Sequence, residues 1–216
     1  MKRIAVFYHT RLSGGEPHID ADHAMGIMSE QMLELQRSGL EDAADKILIG
    51  VNGGDCDFLA ASLLAPEKAE LVQHPSHFRG ELPTMFIMQK WCKENPDWYV
   101  FYHHTKGAIH KGEPLYDLWR RRMQDYGVTN WVRAISDMEA GIDSVGCHWL
   151  TPESYPGAVK APFWGGNFWW CKSAFLNTLP PLRQTAECRE QFYDAESWIG
   201  WGPRRPSVKD YYPGWP

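Results

Sequence analysis

The 216-residue sequence lacks the features that mark several large classes of protein. Its five cysteines are odd in number and include no Cys-x-x-Cys pair, which argues against a disulfide framework and against a zinc knuckle. The apolar run near its start, residues 4–8, is too short for a signal-peptide core or a membrane span. We therefore expect reduced thiols and a cytoplasmic protein, of a bacterium or of a phage-infected host, with no membrane span.

An excess of positive charge is missing as well. The net charge is −5, so no overall basic field is available to hold a nucleic-acid backbone. The cluster Arg120–Arg122 gives a faint hint of a phosphate-bearing partner, but such arginines are more often a solvated helix face. The sequence also has no Gly-x-Ser-x-Gly elbow, which argues against a serine hydrolase. What it does have is aromatic residues, with 11 Trp, 9 Tyr and 9 Phe.

Hydrophobic patterning predicts an alternation of strands and helices. An apolar run predicts a buried strand from Lys2 to His9, and helical spacing predicts a helix from His23 to Gly39. Further strands are predicted at 46–51, 70–73 and 98–103, and further helices at 82–95, 115–126 and 129–141. Short strands and loops follow over 143–150 and 163–171. This order is typical of an α/β fold with a mostly parallel sheet.

The length favours one domain, residues 1–216. We expect a Rossmann-like domain with a twisted, mostly parallel central sheet flanked by helices and a loop-rich C-terminal half. Residues 1–110 and 111–205 would form its two halves, and 206–216 a tail. In such sheets the ligand crevice opens at the carboxyl ends of the strands, so function is expected just after each strand.

Polar residues follow three of the predicted strands. A lysine at such an edge can stabilise a diphosphate as a point charge, while hydroxyls and backbone N–H groups supply hydrogen bonds. An equally good alternative is that the histidines are buried structural residues and that the lysine points to water. Lys106 is the candidate for stabilising a leaving diphosphate, and the other strand-end candidates are His9, Thr10, Arg11, Asn52, His103, His104, Thr105 and Gly107.

Two later segments suit sugar and acceptor. Glycine pairs let the backbone approach a ligand, asparagine both donates and accepts, and tryptophan faces stack on sugar rings. The alternative is a core strand with a bulge. These candidates are Gly165, Gly166, Asn167, Trp169 and Trp198.

A carboxylate is needed to remove the acceptor proton during sugar transfer to a hydroxyl. Glu196 is the first candidate for this general base and Asp194 the second. Viewed alone, the segment from Asp194 to Gly202 could equally carry a carboxylate at a helix end that pairs with an arginine.

Together these motifs resemble bacterial and viral glycosyltransferase-like proteins with the GT-A fold. The resemblance rests on the strand followed by HTKG, on GGNFWW leading into a Ser-Ala-Phe-Leu helix, and on the late AESWIG. It makes the strand-end candidates donor-binding residues, with the nucleotide at the first strand held by His9, Thr10 and Arg11. It implies a nucleotide-binding half at residues 1–110 and an acceptor and sugar half at residues 111–205, where the Gly-Gly-Asn segment and Glu196 face sugar and acceptor. It implies a hexosyl- or pentosyltransferase whose donor is a nucleotide sugar, a UDP-sugar first. The acceptor is left open between a polysaccharide, a protein and a modified base in DNA, and a non-catalytic carbohydrate-binding module is the alternative function.

The sequence departs from many GT-A enzymes at the metal site. An Asp-x-Asp that would hold Mn²⁺ or Mg²⁺ is missing after the central strand, where HHTK stands instead. Asp20–Asp22 and Asp55–Asp57 have the spacing but are better interpreted as a helix first turn and a loop. Either Lys106 and histidines neutralise the diphosphate without metal, which we favour, or His103 or His104 binds a metal with an unidentified carboxylate.

Overall fold

The structure is a computed structural model that describes residues 3–12, 19–75, 80–154, 161–182 and 195–214. Nine strands are assigned in this part of the chain: β1 (Arg3–Arg11), β2 (Lys46–Asn52), β3 (Glu70–His74), β4 (Trp98–His104), β5 (Ser144–Gly146), β6 (Trp149–Leu150), β7 (Phe163–Trp164), β8 (Trp169–Lys172) and β9 (Val208–Asp210). The α-helices are α1 (Ala21–Arg37), α2 (Leu40–Ala43), α3 (Asp55–Leu64), α4 (Leu82–Glu94), α5 (Pro114–Gln124), α6 (Trp131–Glu139) and α7 (Ser173–Leu176). A π-helical turn (Asp125–Thr129) joins α5 to α6, and a 3₁₀ turn covers Trp198–Gly200.

Seven strands form the main sheet in the order β3-β2-β1-β4-β8-β5-β9. The first four are parallel, β8 is antiparallel to both of its neighbours, and β5 pairs in parallel with β9. Strands β6 and β7 form a separate antiparallel pair. The predicted α/β class, with a mostly parallel sheet flanked by helices, is confirmed.

The two faces of the sheet carry separate hydrophobic cores. Val6, Ile49 and Phe101 belong to the core that includes residues of α1 and α6. Phe7 and Tyr102 belong to the opposite core, which includes residues of α4, α7 and the 3₁₀ turn. Because successive side chains in a strand alternate between faces, this division also decides which residues after each strand can meet.

The C-terminal half differs from the expectation in detail. The segments 143–150 and 163–171 each contain two short strands, as the predicted short strands and loops require. The predicted tail at 206–216 supplies β9, because Asp143 accepts hydrogen bonds from Ser207 and a bidentate pair from Arg204 that fix this segment beside β5. Within the described residues, no helix is both long and apolar enough to cross a membrane.

Candidate functional site

The candidate site lies at the carboxyl edge of β1 and β4. His9 of β1 lies in register with His104 of β4, and both side chains lie on the α4 face. His103 lies on the other face, where its ring contacts Tyr8 and Phe101 at centroid distances of 4.6 and 4.7 Å. Burial and then the charge of His104 lower the pKa of His103, so it stays neutral. Its predicted role in donor binding stays a prediction.

Glu81, which the sequence analysis missed, is the hub of the site. Its Oε2 accepts a hydrogen bond from the Tyr102 hydroxyl at 2.9 Å and another from the Asn167 side-chain amide at 2.7 Å. Its Oε1 lies 3.5 Å from His104 Nδ1. Burial raises the pKa of Glu81 to about 7, although the two hydrogen bonds and the charge of Lys106 lower it in part. The carboxyl group of Glu81, next to the ends of β1 and β4, therefore gains or loses its proton near neutral pH.

His104 connects this hub to the glycine pair. Its Nε2 lies 2.9 Å from the Gly166 carbonyl oxygen, to which it donates. Burial, followed by the charge of Lys106, lowers the pKa of His104 to about 3. The imidazole is therefore neutral and has contacts at both nitrogens, which argues against a role as metal ligand in this conformation.

The turn between β7 and β8 requires its particular residues. Gly166 and Asn167 both have positive φ, 84° and 56°, a conformation that glycine and asparagine tolerate best. A Cβ at Gly166 would lie 2.7 Å from Met123 Sδ, and one at Gly165 would lie 3.1 Å from a Leu150 methyl carbon. The turn thus brings backbone close to the site, as a glycine pair permits.

The two candidate tryptophans are packed in the core. Trp169 is 1% exposed, its ring stacks on Tyr102, and its indole N–H donates to Asn167 Oδ1 at 2.6 Å. Trp198 is fully buried and donates to the Pro180 carbonyl at 2.9 Å. Neither ring presents a free face to a sugar, so we assign both a packing role in place of sugar stacking.

Lys106 and Glu196 complete the charged part of the site. The Lys106 ammonium lies 4.2 Å from the centroid of the Trp119 ring, a cation–π contact that steadies it on α5. Burial raises the pKa of Glu196 to about 7, the charge of Lys106 lowers it and that of Glu81 raises it. Lys106 is therefore electrostatically coupled to both carboxyl groups. The second candidate base, Asp194, lies outside the described residues.

A second buried polar cluster lies beside the first. The Thr84 hydroxyl of α4 is 2.8 Å from His9 Nδ1 and 3.0 Å from His74 Nε2. Gly50 lies opposite His9 in β2 and makes room for the cluster, because a Cβ there would lie 1.9 Å from Thr84 Oγ1. Burial lowers the pKa of His74 to about 4 and lowers that of His9 as well, so both rings are neutral near pH 7.

The remaining donor-binding candidates lie at the same edge and have structural contacts. The Thr105 hydroxyl accepts from the Arg11 backbone N–H at 3.3 Å, which ties the end of β1 to the end of β4. Thr10 and Asn52 are fully buried. Gly107 has φ of 91° in the turn after Lys106. Their predicted role in donor binding stays a prediction.

The paired aspartates serve helix ends. Asp20 caps α1 by accepting from the His23 N–H, as expected for a first turn. Asp57 accepts from the Gly54 N–H and lies in the first turn of α3, where the sequence analysis expected a loop. Across the described residues, no group of three or more His, Cys, Asp or Glu side chains could hold a metal ion.

The arginine cluster is not a uniformly solvated face. Arg120 is 3% exposed and its guanidinium pairs with Glu30 and Asp117 and donates to the Lys106 carbonyl. Arg122 lies 4.4 Å from the centroid of the Tyr212 ring. Arg120 therefore supports the loop that carries Lys106, and this role replaces the expected solvated position.

Three residues of the site, Glu81, Thr84 and His74, escaped the sequence analysis. Glu81 precedes a helix and does not follow a strand, so it is not found by looking for polar residues directly after predicted strands. Its signal in the sequence is weak: one acidic residue directly before the apolar helix that starts Leu82-Pro83. Thr84 lies in that helix, and His74 ends a strand that was predicted one residue too short.

Comparison with known proteins finds a match to a family profile and weak similarity to a solved structure. A search of curated protein sequences finds no significant match. A solved structure that matches the chain is CMP:2-keto-3-deoxy-manno-octonic acid synthetase complexed with CTP, at 8% identity and a TM-score of 0.44, covering 85% of this chain and 80% of that one. A likeness this weak carries no argument about activity. A family profile matches residues 7–201, and the chain therefore belongs to the family described as Domain of unknown function (DUF8361).

Proposed function

We propose that this protein is a glycosyltransferase that moves a sugar from a nucleotide-diphosphate sugar to an acceptor hydroxyl. The observation that carries the proposal is the electrostatic interaction of Lys106 with two carboxyl groups, Glu196 and Glu81. Lys106 follows β4, and α/β sheets bind ligands at the ends of their strands. A carboxylate with a pKa near 7 is well matched to general base catalysis at neutral pH. The adjacent ammonium suits a leaving diphosphate.

In the proposed reaction Glu196 is the general base. The acceptor oxygen forms a bond to the anomeric carbon while the bond from that carbon to the diphosphate oxygen breaks. The diphosphate leaves with the electron pair next to Lys106, and the acceptor proton passes to Glu196. This route inverts the anomeric centre. The expected donor is a UDP-sugar; Mn²⁺ or Mg²⁺ would assist by neutralising the diphosphate, a role that Lys106 fills without metal.

A carbohydrate-binding module without catalysis is the weaker alternative. Such a module presents aromatic faces to sugars, whereas Trp169 and Trp198 are buried. Binding of a sugar without catalysis also does not require a lysine that interacts electrostatically with two carboxyl groups of raised pKa. The donor-binding roles of His9, Asn52 and Thr105 remain part of the glycosyltransferase proposal.

The test is binding followed by turnover. Thermal-shift measurements with UDP-, GDP-, CMP- and dTDP-sugars, with and without Mn²⁺, should show stabilisation by one nucleotide class. With that donor, Glu196→Gln should lower the rate of nucleotide release by about 10²- to 10⁴-fold while binding persists. Glu139→Gln, on an exposed part of α6, is the matched control and should keep full activity. Full activity of Glu196→Gln would refute its assignment as the base, and the absence of any nucleotide-sugar binding would refute the function.

A further inference from the structure

The hydrogens on His104 can be assigned from its contacts. The Gly166 carbonyl can only accept a hydrogen bond and lies 2.9 Å from His104 Nε2, so Nε2 carries a hydrogen. In a neutral imidazole the other nitrogen, Nδ1, then has a lone pair. That lone pair faces Glu81 Oε1 at 3.5 Å.

The contacts of Glu81 complete the assignment. Its Oε2 already accepts from Tyr102 and from the Asn167 amide, so a hydrogen on this carboxyl group belongs on Oε1. With one hydrogen between Oε1 and Nδ1, every contact of the pair is matched. With none, two lone pairs would face each other, and with two, two hydrogens would collide.

The charges around the pair decide where this hydrogen resides. Lys106 acts on both groups and Glu196 interacts with Glu81, whereas His9, opposite His104 in the sheet, is neutral near pH 7. Burial and Lys106 disfavour a positive imidazolium. Burial also disfavours a negative carboxylate on Glu81, and the two hydrogen bonds and Lys106 offset this only in part. The neutral arrangement, a carboxylic acid that donates to a neutral imidazole, is therefore preferred below about pH 7.

We infer that Glu81 and His104 share one proton and that this proton fixes the Gly165–Asn167 turn at the sheet edge, which makes Glu81 a positioning residue for the candidate site. The turn is held from both sides: His104 holds the Gly166 carbonyl, and Glu81 holds the Asn167 amide. Losing the proton sets the lone pairs of Glu81 Oε1 and His104 Nδ1 against each other, which favours a hydrogen on Nδ1 in place of Nε2 and so weakens the Gly166 contact, while the Asn167 contact to the carboxylate persists. The position of the proton is independent of the proposed function, whereas its consequence for sugar binding rests on it.

The proton is tested by ¹⁵N NMR of labelled histidine in the full chain, with the His104 signals identified by their loss in His104→Asn. At pH 6 we expect the neutral imidazole of His104 with hydrogen on Nε2. Between pH 6 and pH 9 the amide signals of Gly166 and Asn167 should shift in the wild type. In Glu81→Gln they should shift less, because the glutamine N–H replaces the acid O–H, its carbonyl still accepts from Tyr102 and Asn167, and only Glu196 is left to titrate. A charged imidazole at pH 6, a hydrogen on Nδ1 alone, or the same shifts in Glu81→Gln would overturn the inference.

The positioning role is tested by calorimetry with the nucleotide sugar that gives the largest thermal shift. The dissociation constant of the wild type should rise more between pH 6 and pH 9 than that of Glu81→Gln, by about ten-fold, the equivalent of one hydrogen bond. Because the charge of Glu81 raises the pKa of Glu196, both proteins carry Glu196→Gln in this comparison, so the difference between them isolates Glu81. Equal pH dependence in both would overturn the positioning role. Absence of binding in every protein, with the NMR result intact, would count against the proposed function alone.

Discussion

Replacing Gly50 by alanine is expected to disrupt the cluster of His9, Thr84 and His74. An added Cβ would lie 1.9 Å from Thr84 Oγ1, 2.5 Å from His74 Nε2 and 3.0 Å from Thr84 Cβ. The hydroxyl would have to move to at least 3.4 Å for ordinary contact, a displacement of about 1.5 Å. Rotation of the Thr84 side chain alone does not relieve the clash, because its Cβ is also too close.

The magnitude follows from two losses. Overpacking a well-filled core costs about 1–3 kcal/mol. The displacement also breaks the hydrogen bonds of Thr84 to His9 and His74, at about 1 kcal/mol each. We therefore expect Gly50→Ala to lower the free energy of unfolding by about 3–5 kcal/mol, a large part of the ~5–15 kcal/mol typical of a domain.

Urea denaturation followed by tryptophan fluorescence measures this change. The matched control is Gly26→Ala in α1, where a Cβ meets nothing within 4 Å. That variant should be more stable than the wild type by about 0.5–1 kcal/mol, since alanine favours helix over glycine. A Gly50→Ala variant within 1 kcal/mol of the wild type would show that our account of the packing around Thr84 is wrong.

Three further predictions follow from the site and its supports. The free energy of unfolding should fall by up to about 3 kcal/mol between pH 5 and pH 8 through Glu81, which keeps its proton to about pH 7 when folded but only to about 4.5 when unfolded. Urea titrations at both pH values should show a smaller fall for Glu81→Gln, and an equal fall would contradict the raised pKa. Gly166→Ala should destabilise by about 1–3 kcal/mol in the same assay, because φ is 84° and Met123 is close; an unchanged midpoint would contradict this. Hydrogen bonds from Arg204 and Ser207 outweigh burial and lower the pKa of Asp143 to about 2. The ionised Asp143 therefore stabilises the folded protein above pH 3.8, and this contribution is lost as the pH falls towards 2. Asp143→Asn should lack that loss, about 1 kcal/mol, in an acid titration followed by circular dichroism, and a curve identical to the wild type would refute it.

Part of the site could be predicted because it follows strands. His9, His104 and Lys106 come after apolar runs that can only be buried strands, and parallel strands end at one edge. The Gly165–Gly166 pair indicated a close backbone approach, and the structure places it against His104. Glu81 could not be predicted this way, since nothing in its neighbourhood in the sequence says that α4 starts beside Tyr102.

For the two candidate tryptophans the sequence suggested a role in sugar binding that their burial does not support. Composition and the chemistry of indole suggested that Trp169 and Trp198 stack on a sugar, yet both fill the core on the α4 face. A strand or turn sequence does not tell which face is covered by a helix, and an aromatic ring suits either place. Burial is a property of the packed layers, so only the structure could decide it.

Hydrophobic periodicity alone determined the α/β class and the approximate bounds of β1, β2, β4, α1 and α4, because strand and helix repeats are written in neighbouring residues. Only tertiary structure decided the insertion of β8 between β4 and β5, the use of 208–210 as a strand, and the meeting of Glu81 with His104 and Asn167. These contacts join residues 23 to 86 positions apart. Their existence depends on how the layers pack and on the desolvation that packing imposes, and no local pattern encodes either.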